Sequence, residues 1–213
     1  MTTIDTTIPE QRAAAEALVV QHLNEAHATE EALVTTLTAH IAITPAGAYR
    51  NLLEHHREET RAQARAIDRR LEQLDAGRGL LSAGFGLAQT VVGQVLALSK
   101  GPVDVLRGKS GEEKLLKNAK DECATEALEI ATYEALHTLA EAVGDTETAR
   151  LAEHHREQEE RMLEGLRKHI PALTHAVVLA QAGGQPTYDA GTTGAADAAR
   201  RVQDEVRERV PSA

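Results

Sequence analysis

Apolar residues return every three to four positions through four long stretches of this chain, a helical period. The first stretch opens at Thr7-Ile8-Pro9-Glu10, where a proline in the first turn gives up no hydrogen bond. It runs to about Ile43 with Leu23, Ala26, Leu33, Leu37 and Ile41 in line. Thr44-Pro45 ends it and starts a second helix, which runs to about Ala76, before Gly77. The inward stripe there is Leu53, His56, Thr60, Gln63, Ile67 and Leu71. Ser110-Gly111-Glu112-Glu113 is a capping-box pattern for a third helix ending near Gly144, with Ala119, Cys123, Glu126, Ile130, Tyr133, Leu136 and Ala140 in line. Asp145 caps a fourth, striped by Leu151, His155, Gln158, Met162 and Leu166 and predicted to stop before Pro171.

The links decide the topology. Short ones join the first pair and the last pair of helices, whereas about 77–109 separate the second from the third. That arrangement predicts an all-α, ferritin-like four-helix bundle with a long crossover, rather than a simple up-and-down bundle. Residues 1–8 read as a flexible N-terminus, 9–182 as the bundle, and 183–213 as a Gly/Pro/Thr-rich tail, mobile or docking on a partner through Val202, Val206 and Val210. Ala172–Ala182 reads as a short C-terminal helix. The crossover holds an uncharged run, Leu80–Ser99, long enough to span a bilayer. Its Ser82, Gln89, Thr90, Gln94 and glycines lower its apolarity, which favours burial against the bundle or at an oligomer interface over membrane contact.

Composition narrows the function. Aromatic residues make up 2% of the chain, too few for a deep aromatic pocket. The formal net charge of -10 argues against nucleic acid, whose phosphates require a basic face. A single cysteine, Cys123, excludes an internal disulfide and any cysteine-only metal site. The N-terminus shows neither a basic nor an apolar signal region, so a cytoplasmic location is the expectation.

The oddity lies in the polar residues that fall on apolar stripes. Glu54-His55-His56-Arg57-Glu58-Glu59 recurs about one hundred residues later as Glu153-His154-His155-Arg156-Glu157-Gln158. Glu30 falls between Leu23 and Leu33, His56 and Glu59 are one turn apart, Glu126 and Glu129 likewise, and His155 precedes Glu159. An unpaired buried carboxylate costs several kcal/mol or takes up a proton. Several together call for a cation, and carboxylates with two imidazoles suit a pair of Fe or Mn ions. The candidate metal ligands are therefore Glu30, His56, Glu59, Glu126, Glu129, His155 and Glu159. His22, His27 and His40 read as partly buried, Tyr133 and Cys123 as core residues.

These phrases resemble the YciF-like branch of the ferritin-like superfamily. Glu54-His-His-Arg-Glu-Glu-Thr60-Arg-Ala-Gln63 with Ile67-Asp68 is similar to that family's helix-two phrase. Glu126-Ala-Leu-Glu129-Ile130-Ala-Thr-Tyr133 is similar to its helix-three phrase and to the Glu-x-x-Glu-x-x-x-Tyr of rubrerythrins. Leu136-His-Thr-Leu-Ala140-Glu-Ala-Val-Gly144 matches its helix end. The resemblance covers about 20 to 170. Where the family has a tyrosine in helix one and a histidine after Glu126, this chain has His27 and Ala127. The resemblance implies a bundle that is often dimeric, associated with stress responses, with two metals held by Glu30, Glu59, Glu126, Glu129 and Glu159. The fourth helix aligns in two registers, one placing Gln158 opposite Glu59 and the other Glu159.

Two readings follow. In the first, the protein binds two Fe or Mn ions and handles O2, peroxide or Fe(II). In the second, the site is degenerate or metal-free and the bundle is a structural or interaction protein. A lipid adaptor using the uncharged crossover is a weaker third.

Overall fold

Each of the four stripes folds into one unbroken helix in the computed structural model, which describes residues 9–78 and 110–209. They are α1 (Pro9–Ile43), α2 (Ala48–Arg78), α3 (Gly111–Val143) and α4 (Thr146–Gln181). Ser110 caps α3 by accepting from the Glu113 amide at 3.3 Å, as the capping box predicts. The α3–α4 link is two residues long. Gly144 takes a left-handed φ of 77° that a side chain would strain, and Asp145 accepts from the Thr148 amide at 3.0 Å.

Cross-helix contacts fix the directions. Arg70, late in α2, donates to Asp145 and Thr148 at the start of α4, at 2.7 and 2.9 Å. Tyr49, early in α2, stacks on His169, late in α4, with ring centroids 5.5 Å apart. On the opposite pair, α1 meets α3 through Glu30–Tyr133 and His40–Glu122. So α2 is antiparallel to α4 and α1 to α3, which leaves α2 and α3 parallel. Parallel second and third helices are the arrangement of a ferritin-like bundle. Leu80–Ser99 and the expectations attached to it lie outside the described residues. Among the described residues, no helix is long and apolar enough to cross a membrane.

The interior has three layers. Leu33, Leu37, Ile41, Tyr49, Leu53, Ala119, Met162 and Leu166 form a cluster toward the end that carries the short α1–α2 link. Val19, Leu23, Ala26, Ile67, Tyr133, Leu136 and Ala152 form another toward the opposite end. A band of buried acids and imidazoles lies between them.

Three expectations are corrected. Pro171 does not end α4: it sits on an exposed face, where water can satisfy the carbonyl it leaves free, and 172–181 continue the same helix. The short C-terminal helix is instead α5 (Gly194–Arg209). The inward rows also differ by one residue in two places. On α3, Glu122 and Glu129 are buried where Cys123 and Ile130 were expected, and on α4 Ala152 and Glu159 replace Leu151 and Gln158.

The segment after α4, read from composition as a tail, is tied to the bundle end. The amides of Thr187 and Tyr188 both donate to Glu112 at 2.7 Å, and the Tyr188 hydroxyl donates to the Ile43 carbonyl at 2.8 Å. A 3-10 turn, Ala190–Thr192, follows, with the Ala46 amide and Arg50 both donating to the Thr192 carbonyl at 2.8 Å. The Tyr188 ring lies over Gly111, where a Cβ would fall 2.1 Å from it. Val202 and Val206 on α5 are exposed.

Candidate metal centre

Buried positions on every helix advance by alternate steps of three and four, so each inward row meets the middle of the bundle once. α1 brings Glu30, α2 His56 and Gln63, α3 Glu122, Glu126 and Glu129, and α4 His155 and Glu159, all at 4% exposure or less. His56 Nε2 lies 2.8 Å from Glu126 Oε1. His56, Glu126 and Glu159 each offer a ligand atom, and those atoms all lie within 4.8 Å of one another. Gln63 donates to Glu159, and Tyr133 donates to Glu30 while its ring meets that of His155 edge-on at 5.1 Å.

Most of the remaining ligand atoms have no partner within the protein. Both oxygens of Glu129 are buried and unpaired, as are one oxygen each of Glu30, Glu122 and Glu126, and His155 Nδ1. Among the described residues no Lys or Arg is buried that would neutralise them. Burial, with the charges of Glu30, Glu159 and Glu126 added, holds the Glu129 carboxyl well above its ordinary value. Glu126 is raised by burial and then by Glu159. Glu30 is raised by burial and Glu159, with the Tyr133 hydrogen bond pulling the other way. The imidazoles shift in the opposite sense. Burial lowers His56 against the pull of Glu159 and Glu122, and pushes His155 down to about 3. Neutral imidazoles are the form that ligates metal.

Six of the seven residues expected from the sequence belong to this buried band, and three of them, His56, Glu126 and Glu159, bring ligand atoms together. Glu59 is outside the band: the inward row of α2 passes from His56 to Thr60 and Gln63, and Glu59 lies half-buried on the flank, 3.4 Å from His55. Of the two helix-four registers, Glu159 is the one facing inward. His27 is also on an outer flank, 3.0 Å from Asp68. His40, expected to be partly buried, is buried against Glu122. Gln63 is buried as its place on the α2 stripe predicts, whereas Glu122 and Asn118 were not expected as polar interior residues. The signal for Glu122 was its spacing: Glu122, Glu126, Glu129 and Tyr133 repeat in steps of four, three and four.

The halves of the bundle are related. With the recurring phrase aligned, His56 corresponds to His155, Thr60 to Glu159, and Glu30 to Glu129, so each helical hairpin contributes a carboxylate and an imidazole at the same depth. A buried His/Glu/Glu group of this kind has the hard oxygen and imidazole donors of a transition-metal site.

Comparison with known proteins agrees with this architecture. The family described as "Domain of unknown function (DUF892)" matches residues 14–179. Among solved structures, the chain is similar to a Xanthomonas campestris pv. campestris protein, with 24% identity and a TM-score of 0.60 over 79% of this chain and 99% of that one. It is similar to the E. coli stress protein YciF, with 20% identity and a TM-score of 0.62 over 76% and 97% of the two chains. It is also similar to YcfI of Rhodopseudomonas palustris, with 20% identity and a TM-score of 0.57 over 72% and 92%. No curated protein sequence matches.

Proposed function

The chain belongs to this DUF892 family of YciF-like, ferritin-like bundles, and we propose that its central cluster binds two Fe or Mn ions. The observation that carries the proposal is Glu129, a buried carboxylate with neither oxygen paired, beside Glu30, Glu126 and Glu159. The residues fit such ions. Glu30, Glu126, Glu129 and Glu159 would supply oxygen ligands, and His56 and His155 would supply one imidazole from each half of the bundle. Two such ions, in their reduced state, would supply electrons to O2 or peroxide.

The protein's own residues then have defined tasks. The two apolar layers exclude bulk water from the cluster, which strengthens every electrostatic interaction inside it. Gln63 holds Glu159 and Tyr133 holds Glu30, each fixing one carboxylate and leaving its second oxygen less constrained. The name given to YciF supports a stress-related role of this kind.

A structural reading has support too: the similar YcfI is described as a structural protein, and the cluster is partly satisfied from within. His40–Glu122, Tyr133–Glu30 and Gln63–Glu159 each satisfy one oxygen without a cation. Elemental analysis and thermal melting separate the two. Protein reconstituted with Fe(II) or Mn(II) should carry about two ions per chain and melt higher than the stripped form, because a ligand bound only by the folded state stabilises it. Stripped protein that gains neither ions nor stability would leave the structural reading.

A further inference from the structure

An apolar layer bounds the cluster at each end, but the one toward the α1–α2 link has buried polar groups set into it. Toward the Ile67–Leu136 end the layer next to it is Leu23, Ala26, Ile67, Leu136 and Ala152, with Tyr133, whose hydroxyl is already engaged by Glu30. Toward the α1–α2 link the band continues one tier further. Glu122, one turn along α3 from Glu126, meets His40 of α1 and keeps its other oxygen unpaired. Asn118, one further turn along the same face, is 1% exposed with both amide atoms unpaired. The Tyr49 hydroxyl is also buried and unpaired, and the nearby Glu122 charge adds to burial in raising its pKa. Tyr49 stacks on His169, which is half-buried and reaches the surface.

This tier breaks the internal repeat. In the alignment that pairs His56 with His155, the counterparts of Asn118, Glu122 and His40 are Val19, Leu23 and Leu139. The extra polar groups are therefore not required by the duplicated bundle, and leaving them buried and unpaired costs stability. Ions that reach a cluster with 4% exposure or less must shed water along the way, and the unpaired atoms of Glu122, Asn118 and Tyr49 can replace it.

We propose that His40 and Glu122, with Asn118 and Tyr49, form a transit site through which a divalent cation passes from the His169 side to the central cluster. The inference rests on the two-ion reading above. Glu122 Oε2 and the Asn118 carbonyl replace water on the cation while His40 holds the other Glu122 oxygen. The cation then moves one helical turn to Glu126. The tier speeds loading and adds no resident ion.

Stopped-flow mixing of the metal-stripped full-length protein with Co(II), read by visible absorption, tests this alongside equilibrium ion counts. Glu122→Gln and His40→Gln should each slow loading at least about tenfold, a barrier rise of about 1.4 kcal/mol, and leave the final count at about two per chain. Asn118→Leu leaves His40 and Glu122 in place and should slow loading in the same sense, and Glu122→Asp should recover part of the rate. Helical circular dichroism checks that each variant is folded. Loading at the wild-type rate in the folded variants overturns the route. So does a final count below two in Glu122→Gln, which would make Glu122 a resident ligand, or a third resident ion in the wild type. A wild-type protein that takes up no Co(II), Fe(II) or Mn(II) overturns the underlying two-ion reading instead, a result distinct from a loaded wild type with an unchanged rate.

Discussion

His56 Nε2 lies 2.8 Å from Glu126 Oε1, and the two side chains come from helices that face each other across the diagonal of the bundle. Contact across that diagonal means that the interior here is filled by polar groups rather than by the aliphatic side chains above and below. Glu159 approaches the same point from α4. Replacing Glu126 by Ala should therefore cost more than one ligand, because it also frees a buried imidazole. The expected result is loss of tight Fe(II) or Mn(II) binding, measured by elemental analysis after desalting, with helical content kept. His154→Ala, at an exposed neighbouring position, should leave the ion count unchanged.

Glu129 gives a prediction whose sign depends on metal. Its carboxyl is held well above the ordinary 4.5 in the folded protein, so the folded state binds the proton more tightly than the unfolded chain does. The stabilising share of that linkage is fully present below 4.5 and is lost as pH rises through the folded value, leaving a charged, unpaired group inside. In metal-free protein, Glu129→Gln should therefore raise the melting temperature at pH 7.5, and the gain should fade as pH drops toward 4.5. In Fe(II)- or Mn(II)-loaded protein the same variant should melt below the wild type, since it gives up a ligand. A gain of the same size with and without metal would remove Glu129 from the ligand set.

Tyr133 donates to Glu30, one of the acids that compete for the same space. Tyr133→Phe keeps the ring and its edge contact with His155 but releases the carboxylate. The expected effect is a stability loss of about 1 kcal/mol, the net worth of a typical buried hydrogen bond. Metal affinity should fall by about ten- to a hundredfold, as for other lost partners of a ligand, while the saturated ion count stays the same. Isothermal titration with Mn(II) measures both affinity and count.

Arg70 provides a control remote from the ligands. It is 12% exposed and clamps the α3–α4 link through Asp145, Thr148 and Glu147. Arg70→Ala should cost about 1 kcal/mol, because the part-buried Asp145 and the buried Thr148 lose a charged donor while the exposed Glu147 contributes little. Denaturant unfolding should show that loss, and the metal content should not change. The Asp145 carboxyl, partly buried yet held below its ordinary value by Arg70 and Thr148, should move back up in the variant.

Gly111 tests the segment after α4. Alanine there would place a methyl group 2.1 Å from the Tyr188 ring and displace it. Limited proteolysis of Gly111→Ala should cut near 185–193 faster than in the wild type, with the bundle itself left intact. Equal cleavage rates would mean that Tyr188 does not hold that segment down.

The sequence by itself determined the four helices, their caps at Ser110 and Asp145, the two short links, and the presence of acids and imidazoles in the interior rows. Those features are local: periodicity, capping chemistry and chain breaks are written in neighbouring residues. Only the tertiary structure decided which of two adjacent residues turns inward, Glu122 rather than Cys123 and Glu159 rather than Gln158, and that Glu59 stays on the flank of the stripe holding Thr60. A period of 3.6 leaves each row ambiguous by one residue, and the angle at which helices cross resolves it. Pro171 belongs to the same class, since a helix continues through proline only where the freed carbonyl meets water. The His40–Glu122 pair depends on residues from two helices arriving at one depth, and no single stretch of chain records that meeting.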